Sequence, residues 1–156
     1  MKISEFLCSK AISADLKGTN KEEIIDELVA LLVNSGVIEK KNRSKLVEIL
    51  LQREALGSTA IGQGIAIPHG KSDTISKLTA GLGVSKKGVD VDSLDGEPAY
   101  IFFLLLAPID SAGPHLKALA RISRLLKDKY FRENLKNSKD EKSILKLISQ
   151  EDGRIL

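Results

Sequence analysis

Cysteine is nearly absent from this sequence. Cys8 stands alone among 156 residues, so neither an intrachain disulfide nor a cysteine-based zinc cluster can form, and cytoplasmic residence is the expected compartment. Long apolar runs are missing too. The longest, residues 99–107, falls far short of the roughly 20 residues a membrane helix needs. Glu5 interrupts the only apolar cluster of the N-terminal stretch, which therefore lacks the core of a signal peptide, and no direct membrane insertion is expected. An excess of one charge is also lacking: 24 Lys+Arg face 21 Asp+Glu, for a net charge of +3. The Lys/Arg-rich stretch 121–146 is broken by Asp128, Glu133, Asp140 and Glu141, with Tyr130 and Phe131 its only aromatics. That pattern fits a solvated helical face and not a nucleic-acid track. There is no internal repeat, low-complexity tract or linker, and the length suits one domain over residues 1–156.

What is present has clear periodicity. Residues 20–34 read as a helix: Asn20 can cap, Glu23 holds the capping-box position, and Ile24, Ile25, Leu28, Leu31 and Leu32 make one apolar face before Ser35-Gly36. A second helix is expected over 42–55, its face formed by Leu46, Val47, Leu50 and Leu51, with Arg53 emerging at its far end and Gly57 stopping it. From Thr59 the period changes, and Ile61, Ile65 and Ile67 predict a strand with those three on one face. Strands are also expected at 78–84 and 99–106, with Val89-Asp90-Val91 as a short edge piece. The 99–106 run is apolar on both faces, so it is a central strand covered from both sides. A third helix spans 111–127, capped by Asp110 or Ser111, and two short helices close the chain over 129–150, the last capped by Ser138. The fold class that follows is an α/β single-domain sandwich, a mixed, mostly five-stranded sheet flanked by helices on both sides.

The chemistry concentrates in Gly62-Gln63-Gly64-Ile65-Ala66-Ile67-Pro68-His69-Gly70-Lys71-Ser72. Here Pro68 fixes its own φ and biases Ile67 toward extended backbone, while Gly70 lets the chain leave sharply. The expected result is a glycine-flanked turn that presents His69. An imidazole is nucleophilic near pH 7 and suits reversible phosphoryl capture; local geometry equally leaves open a packed or metal-binding histidine. Transfer of a phosphoryl group needs a nucleophile and donors for the nonbridging oxygens. Arg53 offers a planar fork of donors, and His115, following Pro114 in the first turn of the third helix, lies where the helix dipole favours an anion. Taken singly, Arg53 also reads as a surface arginine and His115 as a structural cap.

Two rival chemistries are weaker. Gly64-x5-Gly70-Lys71-Ser72 resembles a nucleotide-binding P-loop with one residue too many, and it carries Ile65, Ile67 and a Pro68 without an amide hydrogen. Two histidines 46 positions apart have no spaced carboxylate cluster with them, so no metal is expected. A binding module with a decayed site is a third possibility, against which the intact Arg53, His69 and His115 speak.

The segment Gln52-Arg53-Glu54-Ala55-Leu56-Gly57-Ser58-Thr59-Ala60-Ile61-Gly62, followed by Gly64-Ile65-Ala66-Ile67-Pro68-His69-Gly70, resembles the enzyme IIA domain of the fructose/mannitol type from the bacterial phosphoenolpyruvate:sugar phosphotransferase system, including its nitrogen-regulatory branch. The likeness continues in order through Lys86-Lys87-Gly88-Val89-Asp90, Asp95-Gly96-Glu97-Pro98, Ala107-Pro108 and His115-Leu116, and spans residues 2–150. It implies a mixed-sheet α/β domain that accepts a phosphoryl group from phospho-HPr or a paralogue on Nε2 of His69, with Arg53 and His115 contacting that group and no cofactor. It further implies onward transfer to a cysteine of a IIB partner in sugar transport or, in the regulatory branch, partner proteins that read the phosphorylation state. Any IIB, IIC or HPr-like module would then be a separate chain.

Overall fold

The computed structural model describes residues 1–155. A 3-10 turn over Ile3–Glu5 leads into strand β1 (Leu7–Ser13), helix α1 (Lys21–Asn34) and, after a second 3-10 turn, helix α2 (Arg43–Ala55). Three short strands follow, β2 (Ala60–Gly62), β3 (Ile65–Ala66) and β4 (His69–Lys71), then the long β5 (Thr79–Val89) and β6 (Ala99–Ala107). Helices α3 (Ala112–Leu125), α4 (Lys129–Lys136) and α5 (Glu141–Arg154) complete the chain. The six-stranded sheet runs β1-β5-β6-β3-β2, with β4 also on β6. It is mixed: β1 is parallel to β5, β5 antiparallel to β6, and β3 and β4 are parallel to β6.

Strand β6 separates two cores because alternate side chains of a strand point to opposite faces. Ile101, Phe103 and Leu105 pack with Ala118, Ile122 and Leu125 of α3 and with residues of α4 and α5. On the other face Phe102, Leu104 and Leu106 meet Ile24, Leu28 and Leu32 of α1 and Leu46 and Leu50 of α2. The expected central strand covered on both sides is found. Asn20 caps α1 as expected, accepting from the Glu23 amide at 2.9 Å. The Glu23 carboxylate instead takes the Thr19 amide and hydroxyl.

Several expectations change. Strand β1 is absent from the sequence reading, since Leu7-Cys8-Ser9-Lys10-Ala11-Ile12-Ser13 lacks alternation and buries only Ala11 and Ile12 fully. The mixed sheet flanked by helices on both sides is the expected one; β3 and β4, which pair with β6 in one register, bring its strands to six. The single strand expected through Ile61, Ile65 and Ile67 is broken by a hairpin. Gln63 and Gly64 both have positive φ, 59° and 78°, the signature of a two-residue turn of the primed type. The Gln63 amide is held by Asp95 Oδ2 at 3.0 Å. The turn puts Ile61 outside, 49% exposed, while Ile65 and Ile67 are buried. Val89 ends β5, and residues 90–91 lie outside any strand. At the C-terminal end Asp140, not Ser138, caps α5 by accepting from the Ser143 amide, and the Ser138 hydroxyl donates to the Asn134 carbonyl. Ser111 occupies the N-cap of α3, but its hydroxyl donates to the Pro108 carbonyl and makes no capping bond.

The two ends of the fold are tied together. Asp152, 4% exposed, accepts the Ile3 amide at 2.8 Å and the Arg121 Nε at 2.9 Å. One carboxylate thus joins the N-terminal turn, α3 and α5.

Candidate functional site

His69 does not sit in a turn. Ile65 and Ala66 pair with Ile101 and Phe102, and His69, Gly70 and Lys71 pair with Leu105, Leu106 and Ala107, so the register is unbroken across Ile67 and Pro68. Strands β3 and β4 are one extended run interrupted because Pro68 has no N–H for the ladder. Pro68 keeps its carbonyl bonded to the Leu105 amide at 2.9 Å. This placement also removes the P-loop reading, because Gly70 and Lys71 lie within a strand and Ser72 after it opens no helix.

A strand residue directs its N–H and C=O to the same edge. Ile67 turns both away from β6. Its amide donates to the Thr59 carbonyl at 3.1 Å, and its carbonyl accepts from His69 Nδ1 at 2.7 Å. Since a carbonyl only accepts, Nδ1 carries the proton and Nε2 keeps the lone pair.

Helices α2 and α3 close over this edge. A groove of about 510 Å³ is lined by Ile49 and Arg53 of α2, His69, Gly70 and Lys71 of β4, and His115 with its neighbours on α3. All three expected site residues therefore meet. The rings of His69 and His115 stand edge to face, with centroids 5.4 Å apart and planes at 71°. Arg53 points its Nη1 at the Gly57 carbonyl, 2.8 Å away, closing the end of α2. His115 is 7% exposed, and its Nε2 is buried without a hydrogen-bond partner. A buried, unpartnered ring nitrogen is costly and needs a reason; here it lies in the first turns of α3, on the groove shared with His69.

Gly70 permits α2 to approach this closely. Its φ is not positive; a Cβ there would stand 3.1 Å from Ile49 Cγ2 and 3.6 Å from Leu50 Cδ2. Gly70→Ala is expected to push α2 outward by a few tenths of an ångström and carry Arg53, one turn beyond Ile49, with it. The expected cost is on the order of 1 kcal/mol, read as a lower unfolding midpoint.

Both imidazoles favour the neutral form. Burial lowers the pKa of His69, the Ile67 hydrogen bond opposes this, and the Arg53 charge lowers it while that of Glu54 raises it. Burial, then His69 and Lys71, push His115 down to about 4. A histidine whose folded pKa lies below its unfolded value stabilises the fold fully above about pH 6.5, and the contribution is lost as pH falls toward 4. We expect acid unfolding of the wild type to lose up to ~3 kcal/mol over that interval relative to His115→Asn. Denaturant titrations of both proteins at pH 7 and pH 4 check the difference.

The sequence did not single out Lys71, the Ile67 carbonyl or Glu54 as site elements. Lys71 lines the groove. Glu54, 8% exposed, accepts the Thr59 amide at 3.0 Å and the Thr59 hydroxyl. An acidic residue in the last turn of a helix opposes the dipole, and that local conflict was the available signal. Among the described residues no helix is long and apolar enough to cross a membrane, and no group of three His, Cys, Asp or Glu could hold a metal.

Comparison with known proteins places this arrangement. Residues 5–151 match the family described as "Phosphoenolpyruvate-dependent sugar phosphotransferase system, EIIA 2". The chain is 38% identical over 149 residues to a nitrogen regulatory protein of Bradyrhizobium diazoefficiens, covering 96% of this chain and 95% of that one. It is 39% identical over 152 residues to the fructose-specific EIIABC component of Bacillus subtilis, covering 97% of this chain but only 24% of that longer protein. Among solved structures, the nitrogen regulatory protein IIA-Ntr of Neisseria meningitidis superposes with a TM-score of 0.83 at 30% identity, covering 94% of this chain and 98% of that one. The chain therefore belongs to the EIIA type 2 family of the phosphoenolpyruvate-dependent sugar phosphotransferase system.

Proposed function

We propose that this protein is a phosphoryl carrier whose acceptor is Nε2 of His69. The observation that carries the reading is the Nδ1 hydrogen bond to the Ile67 carbonyl, which leaves Nε2 as the nucleophilic nitrogen. The lone pair of Nε2 forms a bond to phosphorus while the bond from phosphorus to the donor's imidazole breaks; Nδ1 keeps its proton throughout. The nonbridging oxygens then need donors. Arg53 supplies a fixed fork, Lys71 a mobile cation, and the unpartnered ring nitrogen of His115 a donor once it carries the proton. The donor protein is phospho-HPr or a paralogue, and onward transfer is to a IIB cysteine in fructose/mannitol-type uptake. Incubation with phosphoenolpyruvate, enzyme I and HPr, followed by intact-mass measurement, tests the acceptor step. An unchanged mass would end the reading.

A regulatory role, in which phosphorylation controls partner proteins, has its own support. The near end-to-end match to a protein named as nitrogen regulatory and the TM-score of 0.83 to IIA-Ntr favour it. A fructose-specific EIIA component of Haloferax volcanii matches over 95% of both chains at 32% identity, which supports the transport role equally in length. Mixing the phosphorylated protein with a IIB protein separates the two, since only the transport role requires loss of phosphate to a cysteine.

His115 holds the group and does not receive it. His115→Ala is expected to be phosphorylated at His69 more slowly than wild type, with Asn, which keeps one donor, outperforming Ala. Phosphate found on His115 by peptide mapping would contradict this division.

A further inference from the structure

Glu54 lies behind the nucleophile and not in the groove. Its carboxylate accepts the Thr59 amide and hydroxyl, the Thr59 carbonyl accepts the Ile67 amide at 3.1 Å, and the Ile67 carbonyl accepts His69 Nδ1 at 2.7 Å. Glu54 also shares a small interior crevice with Ala66 and Pro68. We infer that Glu54 is a positioning residue for phosphoryl transfer, acting through Thr59 and Ile67 to hold His69 in its Nδ1–H tautomer with Nε2 directed at the groove. This rests on the reading of His69 as the acceptor.

Three observations carry the inference beyond a structural tie. The carboxylate is buried at the C-terminal end of α2, where the helix dipole disfavours it, so a packing role alone would be met better by an apolar side chain. The path from Glu54 to His69 crosses two Cα atoms, so it transmits position and not electronic polarisation. Its anchor point also fixes the last turn of α2, which carries Arg53; one group thus registers the nucleophile against its cationic neighbour. The Glu54 charge also raises the His69 pKa by favouring the imidazolium, so the titration midpoint reports on the charge and the tautomer reports on the strut. The other charged or titratable groups around His69 are Arg53 on the same helix, Lys71 on β4 and His115 on α3. Behind Glu54 stands Lys21 of α1, its Nζ 3.9 Å from the carboxylate and 3.4 Å from Asp92.

Glu54→Gln keeps the shape and removes the charge, and leaves a single acceptor oxygen for the two Thr59 donors. Imidazole 15N spectra of the full chain, recorded across a pH titration, read the His69 tautomer and its midpoint without any phosphoryl donor. In Glu54→Gln the Nδ1–H share and the midpoint are expected to fall, and phosphoryl uptake to slow about tenfold, the equivalent of one charge-assisted hydrogen bond. Thr59→Ser, which retains amide and hydroxyl, is expected to resemble wild type in both readouts. Should Glu54→Gln not fold, Thr59→Val decides: a shift of the tautomer in the same direction supports the strut, and an unchanged His69 spectrum overturns it. A folded Glu54→Gln with wild-type tautomer and midpoint also overturns it. Failure of the wild type to take up phosphate would overturn the acceptor reading instead, and that result is independent of the spectra.

Discussion

His69→Ala is expected to take up no phosphoryl group from phosphoenolpyruvate, enzyme I and HPr, whereas the wild-type protein is expected to gain one that is stable in alkali and lost in acid. The effect is complete because no neighbouring group can substitute. The second imidazole, His115, has its Nε2 buried and its pKa pushed down to about 4, which makes it a poorly basic and so weakly nucleophilic ring; an ammonium and a guanidinium, as at Lys71 and Arg53, have no lone pair to offer. Folding should survive the substitution. The His69 ring is half-buried on a strand at the sheet margin and makes a single hydrogen bond, to the Ile67 carbonyl, so the expected loss is about 1 kcal/mol. Intact mass and circular dichroism on the same sample check both halves, and equal phosphorylation of the variant would refute the assignment.

Arg53→Gln is expected to slow transfer by roughly 10- to 150-fold while leaving the protein folded. The estimate follows from loss of one charge-assisted hydrogen bond worth about 1.5–3 kcal/mol, if it is fully expressed in the transition state. Arg53 already has its guanidinium aimed by the bond from Nη1 to the Gly57 carbonyl, leaving the other nitrogens of the fork for an incoming oxygen. Arg53→Lys restores the charge without the fork and is expected to recover part of the rate. Its structural share is small, because Gly57 is exposed and its carbonyl can turn to water. Rapid-quench transfer from phospho-HPr measures the rates, and a wild-type rate in Arg53→Gln would reduce this residue to a helix-end ornament.

Much of this was legible in the sequence because strong local patterns agreed with the final packing. The helical faces of 20–34 and 42–55 and the apolar run 99–107 appear where their periods put them. Arg53, His69 and His115 were named as one site, and the groove brings all three together. The errors have physical causes. Strand β1 buries only two of its residues fully and takes its definition from pairing with β5, a contact remote in sequence. The expected turn at His69 came from reading Pro68 and Gly70 as backbone punctuation. Pro68 instead sacrifices one ladder bond in an extended run, and Gly70 provides room for Ile49 and Leu50. Glu54 was passed over because its partners are the backbone and hydroxyl of Thr59, and hydrogen bonds to backbone leave no pattern in composition.

The Asp152 clasp bears on how such a fold can be joined to others. Because the amide of Ile3 rests on the final helix, a polypeptide that enters the domain at one end leaves it within touching distance. A host chain interrupted by such an insert has only a short gap to bridge, and the entropic penalty of closing it is correspondingly slight. The same geometry serves a bead strung beside other modules and a bead on its own.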